Sequence, residues 1–435
     1  MDNLSTNTVK KSLKYFKNVI DILSNRLFFL NTGGHHRKLK ILVILPYAPY
    51  PVYTGGASRI FQKIKYFGTR HHLVVASFYG PTKVKDELGK MLKPYCKKVV
   101  LVKRDKPLVE FHAELPIKVQ NVTTRKMWAT LEKLGNNFDI VMFEHIYTAM
   151  YRELFKSCYT IMEEHNIESR ILKQYADYNQ DTGQDMPDNE DEQKQADLLQ
   201  DFETQYWPLF KLRTTVSEMD RNYMQLRCDH EILVINNGIH TNEITPVEYQ
   251  EGGKILYMGN MSYRPNIEAV TFFINVIFPI LIRKDPALSC CIAGTNIPPH
   301  ILELAKSCNI ECIENPPDMS KVAAKCSVSV VPLNMGSGTR IKILHSMAMG
   351  IPVVSTSLGC EGLSVCDEEH LLVRDDPESF AEAIIRVRSD KALRNKLRMN
   401  GRRLVKHEYN WPKILGNYEN ELKNRIFNES KTVKA

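Results

Sequence analysis

The residues best suited to chemistry lie between Ser327 and Gly362, in the run SVSVVPLNMGSGTRIKILHSMAMGIPVVSTSLGCEG. Its apolar start reads as a buried strand ending at Pro332. A loop with Gly336 and Gly338 follows, then a helix over Thr339 to Met349 that Gly350 ends. Glycines let backbone approach a ligand closely, and the first-turn N–H groups of a helix are unsatisfied donors pointing at it. Arg340 and Lys342 put two cations beside that terminus. Donors plus cations suit a diphosphate, which needs hydrogen bonds and charge neutralisation together. The alternative is an ordinary strand-to-helix turn whose cations decorate the surface. Gly55-Gly56-Ala57 opens a second helix in the same way, and Glu163-Glu164-His165-Asn166 follows a strand end. A histidine there is placed either for ligand contact or on a solvated loop.

A dinucleotide redox cofactor does not fit. Its fingerprint needs G-x-G-x-x-G and an acid closing the next strand. Pro332 to Thr339 lacks the third glycine, and the strand Pro352 to Thr356 ends in Ser-Thr-Ser. Gly55-Gly56 lies too far past its strand, and there is no P-loop. Cys308 and Cys312 are four apart and could share a helix face, but no partner ligands accompany them; no metal is expected.

The elements that must hold these residues alternate. Strands are expected at Lys40 to Pro46, His72 to Phe78, Lys98 to Val102, Asp139 to Phe143 and Tyr159 to Glu163, with a helix at Ala57 to Phe67. The alternation restarts with strands at Lys254 to Met258, Leu288 to Ala293, Ser327 to Leu333 and Pro352 to Thr356. Helices at Ile267 to Ile282, Pro298 to Ser307, Pro377 to Val405 and Trp411 to Arg425 go with them. Apolar Val/Ile/Leu strands separated by helices mean parallel sheets covered on both faces. The fold class is therefore α/β, with two Rossmann-like, doubly wound domains facing a cleft. Their expected bounds are 38–245 and 246–410, with 411–435 a C-terminal helix packing back toward the first domain. A solvated acidic insertion is expected over 179–195. Residues 1–37 form an extension in which Leu13, Phe16, Ile20, Leu23, Leu27 and Leu30 make one helical stripe. That amphipathic helix either docks on the protein itself or, through residues 10–30, lies in an anionic membrane interface.

A length of 435 residues, 43% hydrophobic and 25% charged, suits two large globular domains and excludes collagen-like, coiled-coil and disordered classes. The most apolar stretch, Ala269 to Ile282, is interrupted by Asn275 and Pro279 and is shorter than the roughly 20 residues of a membrane span. Ten scattered cysteines agree with a reducing, cytoplasmic location, peripheral at the inner membrane surface if the N-terminal helix binds there. The net charge of +8 is uneven. Residues 1–38 carry seven Lys/Arg against two acids, and Arg386 to Lys406 nine against one, whereas Asp181 to Glu203 holds nine acids. No nucleic-acid-binding motif accompanies the basic runs, so nucleic acid is not an expected partner. A polyanionic surface or a phosphorylated small molecule fits them.

The order of motifs resembles the family 4, or group 1, glycosyltransferases of GT-B fold. The matching pieces are Gly55-Gly56, EEHNIES (Glu163 to Ser169), TVSEMD (Thr215 to Asp220), INNGIH (Ile235 to His240), YMGNMSYRPN (Tyr257 to Asn266), the block from Gly336 to Leu363, and Trp411. The resemblance implies retaining transfer of a sugar from a nucleotide-diphosphate donor (UDP- or GDP-sugar) to a glycan, lipid or protein acceptor, without a metal or other cofactor. On it, Arg340, Lys342 and His165 would be catalytic. Gly259, Arg264, Gly336, Ser337, Gly338, Thr339, His345 and Glu361 would bind the donor, and Gly55 and Gly56 would form the loop near phosphate and acceptor. The family's Glu-x7-Glu pair maps to Ser337 and His345, so both carboxylates are missing, and His240 stands where Asp is usual. A catalytically silent GT-B subunit and a nucleotide-sugar 2-epimerase are the alternatives.

Overall fold

The computed structural model describes residues 37–52, 54–79, 82–105, 107, 114–182, 192–336 and 338–432, without the side chains of 82–84, 178–182 and 429–432. The expected N-terminal helix and Ser337 lie outside the described residues. Seven parallel strands form the first sheet: β1 (Lys40–Leu45), β2 (His72–Tyr79), β3 (Lys98–Lys103), β4 (Ile140–Glu144), β5 (Tyr159–Glu163), β6 (Leu212–Thr215) and β7 (Ile232–Val234), in the order β3-β2-β1-β4-β5-β6-β7. Six more form the second: β8 (Lys254–Asn260), β9 (Cys290–Thr295), β10 (Glu311–Glu314), β11 (Cys326–Val331), β12 (Val353–Ser355) and β13 (Leu372–Val373), in the order β10-β9-β8-β11-β12-β13. Burial on both faces explains the apolar run Ile41–Leu45 of β1, and β11 is likewise buried along its whole length, its serines included. In each sheet the order reverses once, between β1 and β4 and between β8 and β11. Chain leaving neighbouring strands at such a point parts to opposite faces and leaves a crevice at the carboxyl ends.

The chain passes between the domains twice, and the two passages are bonded together. Ile239 N–H donates to Tyr409 O at 2.8 Å, and Trp411 N–H donates to Ile239 O at 3.2 Å. Gly238 is required here, since a Cβ would lie 3.0 Å from both the Trp411 ring and Tyr409 O. The last helix, Trp411–Thr432, then buries Trp411, Leu415, Tyr418 and Leu422 in the core around β1 and helix Gly55–Arg70.

Several elements differ from expectation. The long helix at Pro377 to Val405 is two, Pro377–Ser389 and Lys391–Glu408, because the Asp390 side chain caps the second by accepting from Leu393 N–H. The acidic stretch 179–195 is not wholly an insertion. Helix Glu168–Thr182 enters it, helix Glu192–Tyr206 leaves it, and the two pack on each other. Arg264–Lys284 is one continuous 21-residue helix, long and apolar enough to cross a membrane by length and composition, with 56% of its apolar window buried. Asn275 lies in a widened turn (Phe273–Ile277) that accommodates Pro279, and Phe273, Ile274, Ile277 and Leu281 pack into the second domain's core. Cys308 ends helix Pro299–Ser307 while Cys312 is in β10, so they share no helix face.

The basic run Arg386 to Lys406 also has an internal role. Arg398 Nε donates to Gly350 O at 2.6 Å and its Nη2 to Val247 O at 2.9 Å, and Arg402 donates to Ala348 O. The Ala348 and Gly350 carbonyls lie at the C-terminal end of helix Ile341–Ala348, where cations complement the negative end of the helix dipole, and Val247 O ties in the segment that precedes β8. Part of this run's positive charge is thus spent inside the protein rather than offered to a polyanion.

Candidate active site

The two switch points face each other, and the expected residues gather between them. The loop leaving β11 holds Gly336 at φ 117° and Gly338 at φ 75°, conformations that side-chain-bearing residues rarely adopt. It delivers Arg340, buried and donating to Gly338 O, to the start of helix Ile341–Ala348. Two residues on, Lys342 Nζ lies 2.6 Å from Asn266 Oδ1 and 4.9 Å from the centre of the Tyr257 ring. Asn266 is oriented by its amide group, which donates to Asn260 O at the end of β8 and so turns Oδ1 toward the lysine. Gly259 leaves room for the ammonium: a Cβ there would lie 3.2 Å from Nζ. Among the described residues no carboxylate reaches ion-pair distance of Lys342. Part of its surface remains accessible, yet the dense protein around it and then the neighbouring Arg340 guanidinium push the ammonium down to about 7. It is a cation set up to gain from an anion.

The opposite wall comes from β4 and β5, which end in Glu144-His145 and Glu163-Glu164-His165. His165 Nε2 lies 2.7 Å from Glu144 Oε2. The carboxylate accepts, so Nε2 carries the proton and Nδ1 presents a lone pair. Nδ1 is buried and has no hydrogen-bond partner among the described residues. Burial, then the neighbouring His145, Lys63 and Arg59, holds the imidazole well below its ordinary pKa and therefore neutral. Lys63 ties the wall together, at 2.6 Å from Glu144 and 2.8 Å from Glu163. Glu163 also accepts from Tyr418 at 2.5 Å and Thr214 at 3.0 Å, so it is a structural anchor. Glu164 turns away from His165 to accept from the Trp207 indole at 2.8 Å, and burial, then Glu203, raises its pKa.

Gly55 and Gly56 lie where these walls meet. A Cβ on Gly55 would lie 3.1 Å from Ile341, and one on Gly56 would lie 2.6 Å from the Tyr47 hydroxyl and 3.1 Å from His165 Nδ1. Thr54 caps this helix by accepting from Ala57 N–H at 3.1 Å. Across the cleft Thr339 accepts from Asn237 Nδ2 at 2.5 Å, and Gly338 abuts Asn166.

Three expected donor residues, and His240, have further fates. Glu361 forms a 2.9 Å ion pair with Arg170 of the first domain. Arg264 lies 3.7 Å from Glu192 and 3.9 Å from Glu268, over the Tyr175 ring, so local carboxylates meet its charge. His345 is on an exposed face of its helix. His240 bonds Gln62 at 2.7 Å beside Trp411, at the interdomain passage rather than in the cleft. Sequence reasoning passed over His145, whose ring centre is 4.1 Å from that of His165 and whose Nε2 is 2.8 Å from the Tyr47 hydroxyl. The signal was available: β4, like β5, ends in an acid followed by histidine. His145 has φ 63°, an unusual conformation for a residue with a side chain. Among the described residues, one metal-like cluster, Cys366, Glu369 and His370, has ligand atoms within 4.8 Å of one another; His370 Nδ1 already accepts from Cys366 N–H.

Two Rossmann-like domains meeting at a cleft of glycine loops and cations define a GT-B protein. Residues 252–390, which lie in the second domain, match the family described as glycosyl transferases group 1. It is 22% identical over 397 residues to an uncharacterized 44.6 kDa protein in the cps region of Klebsiella pneumoniae, covering 86% of this chain and 97% of that one. Sucrose-phosphate synthase from Thermosynechococcus elongatus has a similar fold, with TM-score 0.64 at 14% identity over 90% of this chain and 100% of that chain. Anabaena HepE in complex with UDP and glucose is similar at TM-score 0.63 and 12% identity, over 88% of this chain and 99% of that chain.

Proposed function

We propose that this chain is a retaining glycosyltransferase of family 4 type that moves a sugar from a nucleotide-diphosphate donor to a glycan, lipid-linked or protein acceptor. The observation that carries the reading is Lys342, a cation without a carboxylate partner among the described residues, beside Arg340 and at a glycine loop. Here the donor's diphosphate would take the N–H groups of the loop from Gly336. Arg340 and Lys342 would neutralise the charge that grows on it as the sugar bond breaks, a contribution strongest where little water reaches. His165 Nδ1, held as a hydrogen-bond acceptor by Glu144, would orient a hydroxyl of the transferring sugar. UDP is the favoured nucleotide, since a neighbour of like fold holds UDP and glucose. The relative in a cps region favours a polysaccharide pathway. No metal enters this scheme.

The test is a panel of UDP- and GDP-sugars, with donor hydrolysis and thermal stabilisation both measured. Turnover that falls at least a hundredfold in Arg340→Ala and in Lys342→Ala supports the assignment; near wild-type rates in the double variant overturn it. Stabilisation without turnover favours the silent subunit, a reading that rests on His345 in place of a carboxylate. Peripheral membrane contact through residues 10–30 belongs to the same proposal. Deleting residues 1–31 should weaken co-sedimentation with anionic liposomes, and unchanged co-sedimentation refutes it.

A further inference from the structure

We propose that helix Glu168–Thr182 is a strap across the diphosphate subsite, and that Gln174 is the group an entering nucleotide displaces. The inference rests on the donor-site reading above. Gly336 N–H, in the left-handed loop that would receive phosphate, donates to Gln174 Oε1 at 2.9 Å. One N–H offers one proton, so a phosphate oxygen and the carboxamide oxygen cannot both hold it at full strength. The strap is fastened one helical turn earlier. Arg170 Nη2 donates to Glu361 Oε1 at 2.9 Å, and positions 170 and 174 lie on one helix face. Next to them, Tyr175 lies under Arg264, its ring centre 5.3 Å from the guanidinium carbon. Helix Glu168–Thr182 therefore reaches three separate parts of the second domain: the phosphate loop, Glu361 and the start of helix Arg264–Lys284.

The base of the strap is anchored in the other wall. Glu168 accepts from the Tyr147 hydroxyl and lies 3.5 Å from His145 Nδ1, beside the His145–His165 ring pair. A charged phosphate is a stronger acceptor than a neutral carboxamide, so the donor wins Gly336 N–H, but only by releasing Gln174. Gln174 thus keeps the cleft closed without ligand and lowers the affinity for any anion too weak to replace it.

UDP and GDP binding by isothermal titration calorimetry to the full chain and its Gln174→Ala and Gln174→Glu variants tests this, with thermal midpoints confirming that each folds. Gln174→Ala removes the competitor and should tighten binding about three- to tenfold, the scale of one neutral hydrogen bond. Gln174→Glu puts a carboxylate on the same N–H and should weaken binding about tenfold or more. Wild-type binding with an alanine variant that is equal or weaker overturns the strap and leaves the donor site standing. Binding of neither nucleotide to wild type or alanine variant overturns the donor-site reading, and the strap with it.

Discussion

If Lys342 is the anion-seeking cation of the cleft, nucleotide binding must be linked to proton uptake. In the free protein the ammonium is pushed down to about 7, first by burial and then by Arg340. A diphosphate beside it reverses both effects, supplying the missing counter-charge and restoring the lysine toward its ordinary range. At pH 8 about 0.9 of the lysines are neutral before binding and charged afterwards, so each nucleotide brings in about 0.9 proton; at pH 6 the figure is about 0.1. Above pH 7 the UDP affinity should accordingly fall by up to about tenfold per pH unit, since every binding event must find a proton. The free fold has the complementary dependence. Between about pH 7 and the ordinary lysine range the unfolded chain binds the extra proton, so stability gains from this group as pH rises. Calorimetric titrations of UDP in buffers of different ionisation enthalpy measure the uptake, and Lys342→Met cancels the nucleotide's own titration. An uptake below about 0.3 proton at pH 8, or one that persists in Lys342→Met, refutes the reasoning.

Other expectations concern the supports of the site. Lys63→Met leaves Glu144 and Glu163 buried without their shared ammonium and should cost about 3–5 kcal/mol in urea unfolding; a loss under about 1 kcal/mol would show that Arg59, Thr214 and Tyr418 suffice. Glu144→Gln can offer N–H to His165 Nε2 and so reverse the tautomer, leaving Nδ1 a donor. Donor hydrolysis should drop about tenfold or more while UDP affinity holds, and an unaltered rate would remove the lone pair from the mechanism. Arg398→Ala strips the cap from Gly350 O and Val247 O and should lower stability by about 1.5–3 kcal/mol with liposome and UDP binding unchanged. A binding defect without a stability loss would instead make the basic run a polyanion surface.

Much of the framework was legible because burial writes itself into composition. KILVIL reads as a strand covered on both faces and SVSVVP as a buried strand, and β5 ends at Glu163 as expected. The strands that escaped notice are short or polar. β6 is Leu-Arg-Thr-Thr, with an Arg213 that is buried because it donates to the Phe210 and Trp207 carbonyls, and β10 is Glu-Cys-Ile-Glu at a sheet edge. Neither has an apolar pattern to read. Gly336, Gly338, Arg340 and Lys342 were found because loop, cations and helix start are consecutive. Tyr47 and Gln174 were not, because each acquires its meaning from a partner far away in the chain, His145 and Gly336.

Local sequence therefore determined which backbone bends, where anions are welcome, and that two parallel sheets exist. Those properties depend on neighbours within a few residues, through glycine conformations, helix ends and side-chain alternation. Only the tertiary structure decided how the charges are used. Bonds to carbonyls 48 and 151 residues away set the Arg398 guanidinium inside the fold, and the lone pair on His165 sits at Nδ1 because Glu144, 21 residues earlier, accepts from Nε2–H. Arg170 pairs with Glu361 across 191 positions, while Lys342 meets an amide oxygen and no carboxylate among the described residues. Charge carries no direction in sequence. Its role is fixed by what folding brings within about 4 Å, where an ion pair or hydrogen bond forms or fails to form.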